Sequence, residues 1–161
     1  MALKSLFHKE LSACRAAARI AFVGALPEAL KAHFLLPRQV GDPQGADGLG
    51  RAGNQACGDA LELGIWVREG RVTKTCFRAE ACSATLAVAS LVCTALEGAT
   101  LEQAHGLDCQ ALIADAGGLP PAKRHAGQVA ARAVAEALAD LRARYPERAV
   151  EPPSALRPSV S

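Results

Sequence analysis

Cys57, Asp59, Cys82 and His125 are two thiols, a carboxylate and an imidazole. Those donor types hold a tetrahedral zinc ion or the iron of a cluster. Cys57 opens the tripeptide Cys57-Gly58-Asp59 behind a glycine-rich stretch, so the backbone can turn tightly there and leave the sulfur accessible. Asp59 offers an oxygen to the same ion, or serves as an exchangeable ligand. Cys82 begins an apolar, helix-like run, where unpaired N–H groups and the helix dipole favour the thiolate. His125 ends the segment Leu119-Pro120-Pro121-Ala122-Lys123-Arg124-His125 and supplies an imidazole where that proline-led segment delivers it to the same place. Spacing alone is a weak signal, because there is no C-x-x-C pair. Without an ion, the same residues read as a loop turn, a buried thiol and a helix-start histidine bonded to backbone.

The other cysteines divide by position. Cys93 lies 11 residues after Cys82, so on one helix it shares a face with Cys82 but sits about 16 Å away along the axis. It cannot join the same ion, and it reads as core. Cys14, Cys76 and Cys109 take the same default, since a free cysteine behaves as a small hydrophobe. Cys76 either lies near the site or simply packs, and the reach of Cys109 is open.

The chain has 161 residues, half of them hydrophobic and about a fifth charged, with a formal net charge of +2. That fits one globular domain with tails and gives no electrostatic reason to expect a nucleic-acid or membrane partner. No apolar run reaches the roughly 18 residues a membrane span needs. The first ten residues lack the long apolar core of a secretory signal. Arg15 and Arg19 in an alanine-rich stretch leave an organelle transit peptide open, with Glu10 against it. Six cysteines are too few for a disulfide scaffold in a chain of this size, so a reducing, cytoplasmic setting is expected.

The positioning elements follow from periodicity. Residues 5–22 read as a helix ended by Gly24, and Pro27 starts a second, short helix with Ala29, Leu30 and Phe34 inward and Pro37 as its stop. Gly41 to Gly53 reads as a loop. Leu61, Leu63, Ile65 and Val67 alternate with Glu62, Gly64 and Trp66, the pattern of a half-buried strand. Glu69-Gly70 makes a hairpin turn into a return strand over Val72–Phe77. Residues 82–96 are apolar on nearly every face, which predicts a buried helix. Leu101–Ala104 reads as a turn, and Asp108 caps a helix to about Ala116. The last helix runs over 123–143, with Arg132–Glu136 and Asp140–Arg144 as i,i+4 pairs on its outer side. The expected fold is α+β, a small antiparallel sheet of about three strands packed against several helices. Residues 1–24 form an N-terminal helical extension, 25–143 the domain, and 144–161 a disordered, proline-rich tail.

Several motifs in register resemble one family. Cys57-Gly58-Asp59, a second cysteine 25 residues later, and Leu-Pro-Pro-x-Lys-x-His resemble the iron–sulfur cluster assembly scaffolds of the IscU type and the NifU N-terminal domain. His33 followed by Pro37-Arg38-Gln39-Val40-Gly41 is similar to that family's H-x-x-N-P-R-N-x-G segment, and Gly98 to Ala104 to its G-K-T-L-E-E-A segment. The resemblance runs from about His33 to Leu141. It implies a non-enzymatic scaffold or carrier that binds a labile [2Fe–2S] cluster, or zinc, through Cys57, Asp59, Cys82 and, in this chain, His125. It also implies a cysteine desulfurase, an iron donor and apo-protein acceptors as partners. A DnaK-like chaperone would recognise Leu119, Pro120, Pro121 and Lys123, with Ala122 where the family has valine. Other positions depart as well. Leu36 stands for the family's asparagine, Ala81 for its glycine before the second cysteine, and Ala126 for its third ligand cysteine. A methyl group neither ligates metal nor accepts a persulfide, so the departure at Ala126 opens an alternative. That alternative is a diverged zinc-binding module that docks on a desulfurase or chaperone.

Overall fold

The computed structural model describes residues 23–149. The expected helix over 5–22 lies outside them, as do Cys14 and residues 150–161. A short 3-10 turn, Val23–Ala25, leads into α1 (Glu28–Leu35). Three strands follow, β1 (Gly48–Asn54), β2 (Asp59–Arg68) and β3 (Arg71–Glu80), as an antiparallel meander in that order. Five helices complete the domain: α2 (Ser83–Leu96), α3 (Leu101–His105), α4 (Cys109–Asp115), α5 (His125–Arg144) and α6 (Pro146–Ala149). This is the expected α+β arrangement.

The alternation in β2 sorts its two faces as the pattern predicts. Leu61, Leu63, Ile65 and Val67 are all buried, and Phe77 of β3 stands opposite Leu63. Helices α2 and α5 close over this face with Val88, Val92, Leu96, Ala133, Ala137 and Leu141. The uninterrupted apolar run of α2 has the same cause, since ten of its residues are buried between the sheet and its neighbouring helices. On the other face Trp66 lies under the Lys74 ammonium, 4.5 Å from the ring centre. The polar rim there pairs Glu62 with Arg51 and Arg78.

The glycine-rich stretch is not loop throughout. Its second half is β1, an edge strand with no alternation of large apolar residues to announce it. Gly48 and Gly50 are there because α5 crosses almost on top of the strand. A Cβ on Gly50 would overlap the Ala133 carbonyl oxygen and come within 2.6 Å of the Ala137 nitrogen.

The outer edge of β1 is covered by one stripe of α5. Asp140 accepts the Leu49 N–H at 2.8 Å and Glu136 accepts the Arg51 N–H at 3.1 Å. Arg132 donates to the Gly53 carbonyl at 3.1 Å, and Arg144 donates to those of Ala46 and Asp47 at 2.9 and 2.7 Å. Side chains four residues apart thus take the hydrogen-bonding places a fourth strand would fill, and they blunt an edge that would otherwise invite pairing. Of the two helix pairs expected from the sequence, Asp140–Arg144 forms at 2.7 Å. Arg132 and Glu136 both turn to the strand.

Two further expectations change. Leu101–His105 is a helical turn rather than a plain turn, because Thr100 and Gln103 form a reciprocal capping box. The chain beyond residue 144 continues as α6, where Arg148 reaches back to the buried Asp47 at 2.6 Å.

Candidate metal centre

Three junctions between elements converge at one end of the sheet. Cys57 lies in the turn between β1 and β2, and Asp59 is the first residue of β2. Gly58 adopts φ +66°, the left-handed conformation that lets the chain re-enter the sheet directly after the cysteine. Cys82 is the N-cap residue of α2, and His125 is the first residue of α5, after the 3-10 turn Pro121–Lys123.

Asp59 is the hub. Its side chain has no exposed surface, so its oxygens need partners inside the protein. Oδ1 accepts the Cys82 backbone N–H at 2.9 Å. Oδ2 accepts the Thr85 hydroxyl at 2.7 Å and lies 3.1 Å from His125 Nε2. The Cys82 sulfur is 3.7 Å from Asp59 Oδ2, 3.7 Å from His125 Nε2 and 3.6 Å from the Thr85 hydroxyl. Among the described residues, Asp59, Cys82 and His125 form a group whose donor atoms all lie within 4.8 Å of one another.

Those spacings fit an ion. Bonds of about 2.0–2.3 Å to a tetrahedral zinc place neighbouring donor atoms about 3.3–3.8 Å apart. The two contacts of the Cys82 sulfur already fall in that range, and the Asp59–His125 contact needs to open by only a few tenths of an ångström. The three residues would hold zinc as a closed face, leaving a fourth position for an outside donor.

Cys57 stands apart from that group. Its sulfur is exposed and lies 3.9 Å from His125 Nδ1, whereas Asp59 and Cys82 face Nε2. The histidine is therefore flanked by both thiols, one against each ring nitrogen. Ala126 is fully buried beside His125. Leu119 and Pro120 are half-buried, Pro121 is exposed, and the Lys123 N–H closes the turn on the Pro120 carbonyl at 2.8 Å.

The remaining candidates are structural. Cys76, Cys93 and Cys109 are buried, and burial raises all three thiol pKa values, that of Cys93 to about 12. His33 bonds the Ser90 hydroxyl at 2.9 Å, and that hydroxyl also accepts the Arg38 N–H at 2.8 Å. Burial, and then the Arg38 charge, hold the His33 imidazole below its ordinary value. This pair ties the end of α1 to α2 and does not join the metal group. The thiolate is the reactive species and access limits it. Iodoacetamide on the native protein should therefore label Cys57 well before Cys76, Cys93 or Cys109, with peptide mass spectrometry giving the order. Early labelling of Cys93 would contradict the packing described.

Thr85 is the residue in contact with this group that the sequence did not announce. Its only signal was a hydroxyl three residues after Cys82 in an otherwise apolar helix.

Residues 27–148 match the family model described as NifU-like N terminal domain. The chain belongs to this family. As a NifU N-terminal-type protein it is 36% identical over 108 residues to two Archaeoglobus fulgidus proteins, iron-sulfur cluster assembly scaffold proteins IscU 1 and IscU 2. Each match covers 67% of this chain and 71% of the relative. The Azotobacter vinelandii iron-sulfur cluster assembly scaffold protein IscU is 37% identical over 112 residues, covering 67% of this chain and 87% of the relative. The crystal structure of a NifU-like N-terminal protein from Brucella abortus has the same fold, with a TM-score of 0.59 at 16% identity, over 73% of this chain and 94% of the other. The family expectation drawn from the motifs is thereby met.

Proposed function

We propose that this NifU N-terminal-type chain is an iron–sulfur cluster scaffold or carrier. It holds a [2Fe–2S] cluster, or zinc in its place, on Asp59, Cys82 and His125, with Cys57 beside them at the mouth of the site. The observation that carries this reading is the convergence of a carboxylate, a thiol and an imidazole from three separate elements at ion-binding spacing. Two relatives' names, as cluster assembly scaffolds, support it. Such a protein holds and hands over its cargo and has no turnover of its own. The partners on this reading are a cysteine desulfurase, an iron donor and apo-protein acceptors, with the exposed edge of the Leu119–Lys123 segment offered to a DnaK-like chaperone. A cytoplasmic location belongs to the same reading.

Anaerobic reconstitution with iron, sulfide and a cysteine desulfurase tests it. Wild-type protein should gain visible absorption with matched iron and sulfide, and the Cys57→Ala/Cys82→Ala protein should not. Wild type that behaves like the double variant would sink the proposal.

Ala126 favours a second reading, the zinc-binding module. A buried methyl group occupies the family's third cysteine position. Zinc in the wild type, with cluster assembly only after Ala126→Cys, would select that reading.

A further inference from the structure

Asp59 can act as a ligand only if Oδ2 stays aimed at the space between Cys82 Sγ and His125 Nε2. Four groups approach its carboxylate with a hydrogen to give: the Cys82 N–H on Oδ1, and the Thr85 hydroxyl, His125 and the Cys82 thiol, itself a candidate ligand, on Oδ2. They differ in what an ion does to them. The Cys82 N–H is backbone and fixes only the other oxygen. His125 Nε2 must give up its bond to Asp59 to become a ligand, since one nitrogen lone pair cannot serve a proton and a metal together. Thr85 alone donates to Oδ2 without being a ligand itself. A carboxylate oxygen has two lone pairs, so Oδ2 can keep the hydroxyl and accept an ion at once.

The surroundings suit that task. Thr85 is fully buried one helical turn beyond Cys82. Its hydroxyl has one proton, and at 2.7 Å that proton goes to Asp59. Toward the Cys82 sulfur, 3.6 Å away, Thr85 then presents a lone pair.

We propose that Thr85 is a positioning residue for the metal centre, its hydroxyl holding Asp59 Oδ2 on the ion that Cys82 and His125 share. The inference rests on the metal-site reading above and deepens it. Partners behind metal ligands typically change affinity 10- to 100-fold when removed.

Zinc alone, competed against a chelator on the full chain, is the probe. Thr85→Val keeps the branched shape and removes the hydroxyl, and Thr85→Ser keeps the hydroxyl. The valine variant should bind zinc about 10- to 100-fold more weakly than wild type and the serine variant within about threefold of it. In an Asp59→Ala background, adding Thr85→Val should change nothing, because the group it positions is gone. Unfolding of the metal-free proteins checks that each variant is folded. Wild-type affinity in Thr85→Val overturns the inference, as does the same fold-loss in the Asp59→Ala background, which would mark a packing effect. Wild-type protein that binds no zinc overturns the metal-site reading and this inference together. Zinc binding by wild type with an unchanged Thr85→Val overturns the inference alone.

Discussion

Cys82→Ala should weaken zinc binding about a thousandfold, a loss of about 4 kcal/mol, whereas Cys57→Ala should cost about tenfold or less, near 1.4 kcal/mol. Both thiols are candidate ligands by sequence, and the structure separates them. The Cys82 sulfur stands 3.7 Å from both other donors of the group, so removing it deletes one of three preorganised ligands. The Cys57 sulfur faces Nδ1, on the other side of the ring from the nitrogen that Asp59 and Cys82 share. One ion cannot sit on both nitrogens, so Cys57 joins this set only if its turn moves. That turn is held by three hydrogen bonds, from the Cys57, Gly58 and Ala56 N–H groups to Asn54 O, Gln55 O and Asn54 Oδ1 at 3.3, 3.3 and 3.0 Å. Moving it has a cost that discounts the gain from an added thiolate. The control is built in, because Cys82→Ala leaves its backbone N–H on Asp59 and should not unfold the metal-free protein. Chelator competition on both single variants checks the ratio, and equal losses would place Cys57 inside the ion's ligand set.

What the sequence could reveal depended on whether a residue's role follows from its own type or from what stands opposite it. The four candidate donors were visible because thiol, carboxylate and imidazole declare their chemistry. β2 and α2 were visible because burial writes itself as alternation in one and an unbroken apolar run in the other. β1 was hidden because its identity lies in what glycine lacks, and a missing side chain in sequence looks the same in a loop and under a helix. The α5 stripe showed the same ambiguity. Arg132, Glu136, Asp140 and Arg144 have the spacing of helix-internal ion pairs, and that spacing also matches the edge of an adjacent strand. Thr85 escaped because a hydroxyl in a greasy helix ordinarily bonds its own backbone. Which nitrogen of His125 each thiol faces is a matter of ring orientation, and no spacing rule reports it.

Gly50→Ala is the stability prediction with the largest expected effect, and it isolates the contact between β1 and α5. The added methyl would overlap the Ala133 carbonyl oxygen, lie 2.6 Å from the Ala137 nitrogen and 2.9 Å from the Ala133 carbonyl carbon. All three are backbone atoms of a helix interior, so no rotamer change relieves the clash. Helix α5 must lift from the sheet, which disturbs Ala130, Ala133 and Ala137 and strains the hydrogen bonds that Asp140 and Glu136 accept from the strand edge. Overpacking usually costs about 1–3 kcal/mol, and a backbone-on-backbone clash belongs at the top of that range, about 3 kcal/mol. For a chain of this size that lowers the melting temperature by about 6–12 °C. Gly106→Ala makes the same chemical change where φ is −86° and the nearest atom, Glu102 O, is at an ordinary 3.4 Å. There the smaller entropy of the unfolded chain should leave stability level or raise it by about 0.4–1 kcal/mol. Thermal unfolding of the two variants side by side should therefore give shifts of opposite sign or very different size. A Gly50→Ala protein that melts with the wild type would mean that α5 does not ride on the strand as closely as described. The stripe from Arg132 to Arg144 would then lose its role as the cover of that edge.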